Sequence, residues 1–203
     1  MTLATWLSLL TICCLGAMSP GPSLAVVLKQ TVGNGRGHGV AAAWFHAAGV
    51  GLWALATVSG LAILLTQSPL LFTAITWCGA GYLLWIAWNA LRAGAVDALQ
   101  IERAAPAPLL HAGLEGAMIS LLNPKLAVFF IALFSQFVTA DASSADQGIM
   151  VATATLVDGL WYTLVALVLS HGPILAALQR HGQWINRLTG AVLILLALRV
   201  VML

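Results

Sequence analysis

Ser19-Pro20-Gly21-Pro22 interrupts an otherwise apolar run covering residues 3–28. Proline has no N–H to donate and clashes with the carbonyl four residues back, while glycine adds backbone freedom, so together they break a helix. In hydrocarbon each freed backbone group costs several kcal/mol unless protein or a water-lined cavity satisfies it. A second apolar run is broken roughly one hundred residues later, at Leu122-Asn123-Pro124-Lys125. Interrupted spans at corresponding places in two halves of a membrane chain point to a transporter binding site.

The composition agrees with a bilayer setting. The 203 residues are 61% hydrophobic and only 7% charged, with mean hydropathy +0.99, whereas soluble domains carry about 25% charged residues. An integral membrane protein with no soluble domain is predicted. A net charge of +2, with no basic patch interleaved with aromatics, excludes a nucleic-acid partner. Cys13, Cys14 and Cys78 lie in apolar runs without CxxC or histidine spacing and read as small buried hydrophobes. No metal and no cofactor is expected. The chain contains no HExxH, no GxSxG and no Cys/His cluster, so it reads as a non-enzyme.

Spanning takes about 20 apolar residues, and six segments qualify: 3–28, 40–65, 69–91, 112–138, 148–170 and 184–203. The first lacks a basic flank and is too long for a signal peptide, so it is kept as a span. The polar, glycine-rich stretch 29–39 reads as a flexible cytoplasmic hinge, and it lacks the ending of a phosphate loop. Loops one, three and five carry Lys29, Arg36, Arg92, Arg103, Arg180 and Arg187, whereas loop four carries Asp141 and Asp146. The positive-inside rule puts the basic loops in the cytoplasm and both termini outside; Arg199 alone disagrees.

Short words recur in order between the halves: Gly16-Ala17-Met18 with Gly116-Ala117-Met118, Pro22 with Pro124, and Gly51-Leu52-Trp53 with Gly159-Leu160-Trp161. Three spans per half force the second half to insert upside down. The expectation is therefore an all-α membrane protein, one domain over 1–203. Its six transmembrane helices form two inverted three-helix repeats, about 1–92 and 112–203, joined by a cytoplasmic linker, 93–111, with the first and fourth helices broken.

The breaks are the first candidate site. Asn123 suits an N-cap and Pro124 the first helical position, and Ser19-Pro20 or Gly21-Pro22 suit the same role in the first span. A half-helix start offers unpaired N–H groups to a carboxylate; the plainer alternative is two packing kinks. Lys125 and Asp158 sit near mid-span, where one charge costs about 2.5–3.5 kcal/mol. They are expected to face the interior and each other, or a water-filled cavity, with Lys125 holding a carboxylate and Asp158 exchanging a proton, or else to form a static pair that fixes register. Glu115 is placed at an entry vestibule, and His46 either joins a proton path or packs. The small-residue stripe Gly39, Ala43, Ala47, Gly51 suits an internal helix contact or a homodimer interface equally well.

At these residues the chain resembles the LysE/RhtB family of amino-acid exporters. The matching stretches are Ser19-Pro20-Gly21-Pro22; Gly35-Arg36 with Gly39; Tyr82-Leu83-Leu84-Trp85; Asn123-Pro124-Lys125 with Phe129-Phe130 and Gln136-Phe137; and Val157-Asp158 before Leu160-Trp161. The likeness covers nearly the whole chain. It implies a multi-pass protein of a bacterial-type inner (plasma) membrane, exporting amino acids or close derivatives by proton antiport through an inverted-repeat fold. Ser135 stands where the family is expected to have Pro, which would straighten the outer end of the fourth helix. Few acidic residues lie within the spans, and Asp158 is matched by Lys125, so the residues favour a neutral cargo of the homoserine, threonine or leucine kind. The alternative within the same fold is a metal-ion or small-solute exporter or channel, in which Cys13 and Cys14 would line the pore.

Overall fold

The computed structural model describes residues 1–19, 21–92, 106–139, 142–169 and 172–201, and side chains for all of these except 169, 172–182, 185 and 199–201. Pro20, Arg103 with the rest of 93–105, and Asp141 lie outside the described residues, as do the side chains of Arg180 and Arg199.

The elements among the described residues are all helical: α1 (Leu3–Met18), α2 (Pro22–Asn34), α3 (Arg36–Gln67), α4 (Pro69–Arg92), α5 (Leu109–Leu121), α6 (Pro124–Phe134), α7 (Ser144–Leu164) continuing as a π-helical turn (Val165–Leu169), and α8 (Gly172–Val201). Each boundary has a local cause. Thr2 accepts from Thr5 N–H to start α1, and Ser143 and Asp146 form a reciprocal capping box at α7. Pro22, Pro69 and Pro124 open their helices, where a missing N–H is harmless. The two breaks are sharp: α1 and α2 meet at 59°, α5 and α6 at 57°.

Arg36–Gln67, Pro69–Arg92 and Ser144–Val168 are each long and apolar enough to cross a bilayer, and so is each bent pair taken as one span. That gives up to five crossings among the described residues, against six expected. The last helix supplies a shorter apolar stretch, Asn186–Leu198.

Two expectations need correction. The stretch 29–39 is no loop: α2 and α3 run through it and only Gly35 separates them, at φ 97°. One residue in the left-handed region turns the chain there, which glycine does without a Cβ clash. The connection before residue 184 is likewise helical, because α8 starts at Gly172. Ser135 is the C-cap of α6, the outer half of the fourth span. The helix ends at Phe134, and the Ser135 hydroxyl donates back to the Ala132 carbonyl at 3.0 Å.

Backbones approach closely where α5 crosses α3. A Cβ on Gly116 would run into the Ala42 carbonyl, 2.9 Å from its carbon, and one on Gly113 would lie 2.9 Å from the Phe45 ring. Small residues permit such crossings in a membrane, where burying apolar surface gives little drive between helices. Two apolar clusters result. The larger draws on α1, α3, α4, α6, α7 and α8 around Leu9, Leu83 and Phe134; the smaller joins α2, α3 and α7 around Leu28, Ala43 and Tyr162.

Candidate functional site

The two breaks meet at one cavity. Ser19, Gly21 and Pro22 line it from the first, Asn123 and Lys125 from the second, and His46 and Asp158 from α3 and α7. Its volume is about 120 Å³, close to that of an apolar cavity (~150 Å³) able to hold benzene. Apolar residues of both clusters complete the wall, among them Val50, Phe130, Leu193 and Tyr162.

The helix starts are satisfied unequally. At α6, Asn123 Oδ1 accepts from Lys125 N–H at 3.1 Å, taking one of the orphan donors. At α2 the corresponding residue is Gly21, extended and without a side chain, so no side chain caps Ser23 or Leu24 N–H. A Cβ placed on Gly21 would meet nothing within 4 Å, so this end is open. Behind the first break, Ser19 N–H donates to the Leu15 and Gly16 carbonyls, and Thr189 Oγ1 on α8 reaches Leu15 O at 3.4 Å.

At the centre, three helices bring three side chains together. His46 Nδ1 lies 2.7 Å from Asp158 Oδ2, and His46 Nε2 lies 2.8 Å from Ser23 Oγ. His46 is 1% exposed and Asp158 8%. The Tyr162 ring meets the imidazole edge-on at 5.2 Å, and its hydroxyl is turned to Ser23. Carboxylate, imidazole and hydroxyl thus form a continuous hydrogen-bonded chain, which can carry a charge across a proton change.

Of the two arrangements expected for Lys125 and Asp158, facing each other or facing a cavity, the structure shows the second and no ion pair between them. Both line the cavity, but the ion-pair partner of Asp158 is His46, and the Lys125 ammonium enters no ion pair among the described residues. Matching depth fixes height in the membrane but not which helix face looks where, and His46 is nearer. Pro124 opens α6 without lining the cavity, and Glu115 lies away from it. Glu115 accepts from Lys29 Nζ at 2.6 Å and from Gln30 Nε2, fastening α5 to α2, while Asn34 Nδ2 steadies Gln30 at 2.9 Å. Ser23 and Tyr162 are the site residues missed from sequence. Ser23 directly follows Pro22 at the start of a half-helix, and that position was the available signal.

Comparison with known proteins follows this geometry. Residues 14–203 match the family model described as LysE type translocator. The chain is 30% identical over 178 residues to the threonine efflux protein of Salmonella typhi, covering 86% of each chain. It is 29% identical over 189 residues to the homoserine/homoserine lactone efflux protein of Salmonella typhimurium, covering 92% of this chain and 86% of that protein. It is 28% identical over 137 residues to the leucine efflux protein of an Enterobacter species, covering 68% of this chain and 65% of that one. No solved structure matches it. With a family model spanning all but the first 13 residues, this chain belongs to the LysE type translocator family.

Proposed function

We propose that this chain is a secondary-active exporter of neutral amino acids, working by alternating access with proton antiport across a bacterial-type inner membrane. The observation that carries the proposal is the convergence of both helix breaks on one cavity that also holds the His46–Asp158 pair. The names of the relatives support the cargo class. We read the fold as six spans in two inverted repeats, with α8 providing the sixth and both termini outside.

In this mechanism the cargo carboxylate lies at the uncapped start of α2 with Lys125 as its counter-charge, where orphan N–H groups and the helix dipole favour an anion. The cargo ammonium meets Asp158. A proton taken up by His46 neutralises the same carboxylate, so proton and ammonium compete and the two fluxes oppose each other. The apolar wall suits a small uncharged side chain, because a cationic one would need a second carboxylate in the cavity. Glu115 works at a distance from the proton path. With Lys29 it forms a clasp on the cytoplasmic side, holding the two half-helices together while that side is closed. The metal-exporter alternative is weaker, since Cys13 lines the cavity and Cys14 does not.

The experiment is efflux of preloaded labelled amino acids from proteoliposomes, with and without an imposed pH gradient. Gradient-stimulated efflux of a neutral amino acid supports the proposal. Flat traces across the panel from folded protein would refute it.

A further inference from the structure

We propose that Ser23 is the residue through which a proton on His46 abolishes the binding site for the cargo ammonium. The inference rests on the transport reading above and deepens it. An ionised Asp158 has only acceptor oxygens, so the 2.7 Å contact places a hydrogen on His46 Nδ1. In the neutral ring Nε2 is then a bare lone pair, and the 2.8 Å contact is a hydrogen bond donated by the Ser23 hydroxyl. In that state Ser23 Oγ keeps one lone pair for the cavity beside the one that faces the Tyr162 hydroxyl, and Asp158 keeps the oxygen that His46 does not engage. Two acceptors from different helices flank one side of a cavity that is otherwise mostly apolar, and an ammonium has three hydrogens to give them.

A second proton on the ring goes to Nε2 and reverses that bond. The imidazolium now donates, Ser23 Oγ accepts with one lone pair while the other faces the Tyr162 hydroxyl, and the Ser23 hydrogen turns into the cavity. An arriving ammonium then meets an O–H where it had met a lone pair, and a neutralised ion pair where it had met a carboxylate. One protonation thus removes the Ser23 acceptor and offsets the Asp158 charge. The groups facing this ring are Asp158 and Tyr162 from α7 and Ser23 from α2, with Cys13 of α1 close to Asp158 and Lys125 of α6 on the same cavity. The positive charge of Lys125 stands against a second cation in this space, which sharpens the competition between proton and ammonium.

The test is counterflow of labelled threonine, homoserine and leucine in proteoliposomes, with KM and kcat measured from about pH 8 to about pH 5.5, the range in which imidazole titrates. For the wild-type protein KM rises at least tenfold toward low pH while kcat changes less. Ser23→Ala raises KM about tenfold at high pH, as loss of a hydrogen bond to a charged group does, and flattens the dependence; Ser23→Thr restores both. A Ser23→Ala variant that keeps the wild-type slope, or loses kcat alone, overturns the assignment of Ser23 and leaves the transporter intact. Folded wild-type protein that moves none of the three overturns the transport reading, and this inference with it. Should Ser23→Ala not fold, nitrogen-15 NMR of histidine-labelled wild-type protein, with His46 assigned by its loss in His46→Gln, gives an independent answer. A neutral Nδ1–H tautomer is expected, and the Nε2–H tautomer overturns the proposal.

Discussion

Gly116→Ala tests a crossing at which the backbones of α5 and α3 approach closely. The added Cβ would collide with the Ala42 carbonyl oxygen and lie 2.9 Å from two further Ala42 backbone atoms, whereas ordinary contact begins at 3.4 Å. The obstacle is backbone, so no rotamer change relieves it, and α5 must move away from α3. Nearby contacts stretch together: the Phe45 ring over Gly113, the Trp53 Nε1 bond to Ser120 O at 3.3 Å, and the Glu115 clasp to α2. Overpacking of this kind costs about 1–3 kcal/mol, and up to about 1 kcal/mol returns because alanine favours helix over glycine. A net loss of about 1–2 kcal/mol lowers Tm by roughly 2–8 °C in a chain of this size.

The control is Gly60→Ala on α3, where an added Cβ meets nothing within 4 Å. There the propensity gain stands alone and Tm rises by about 1–4 °C. Thermal unfolding of both variants in detergent, followed by tryptophan fluorescence, decides the matter. Opposite shifts are expected for the same chemical change. A Gly116→Ala protein as stable as wild type would mean that α3 and α5 are not in backbone contact, and the described crossing would be wrong.

Asp158→Asn leaves His46 without its carboxylate and is expected to cut gradient-driven efflux at least tenfold; undiminished proton-coupled efflux would end the coupling role of this residue. Reversing either charge of the clasp, Lys29→Glu or Glu115→Lys, places like charges together, and efflux should change in each single variant and recover in the double swap. Because both side chains are about one-third exposed (35% and 28%), the stability effect stays below about 1 kcal/mol, and single variants with wild-type efflux would remove the clasp from the mechanism. Gly35→Ala forces a Cβ onto the φ 97° turn between α2 and α3 and should cost about 1–2 kcal/mol; an unchanged Tm would show that the turn relaxes freely.

What the sequence makes legible here is what is written locally in backbone chemistry. Ser19-Pro20-Gly21-Pro22 and Asn123-Pro124 announce helix ends because missing donors and a capping amide act within a few residues of themselves, and Met18, Pro22 and Pro124 are where helices stop and start. Polarity misled at 29–39, since Lys29, Gln30 and Asn34 look like loop residues until Glu115 on α5 gives two of them a partner. Depth in the membrane matches Lys125 with Asp158 but says nothing about rotation of a helix about its axis. His46 sits at the centre of the site, yet from sequence it reads either as part of a proton path or as a packing residue, because Ser23 and Asp158 reach it from 23 and 112 residues away. Such meanings arise only when three helices have packed.

The unequal helix starts make a last argument. Both breaks free backbone donors in an apolar setting, and Asn123 caps one of them while Gly21 leaves the other open. A chain selected only for stability gains from a capping side chain at both. Gly21→Asn supplies the missing cap: φ and ψ are both −172°, an extended conformation any residue adopts, and a Cβ there meets nothing within 4 Å. An N-cap Asn is worth a few tenths of a kcal/mol over Gly, so Tm should hold or rise slightly. The same amide oxygen would occupy the N–H groups proposed to hold the cargo carboxylate, and KM should rise about tenfold, as expected when a hydrogen bond to a charged group is lost. Stability and binding thus move in opposite directions. A Gly21→Asn protein that transports with unchanged KM would place the carboxylate elsewhere in the cavity and leave Lys125 as its remaining anchor.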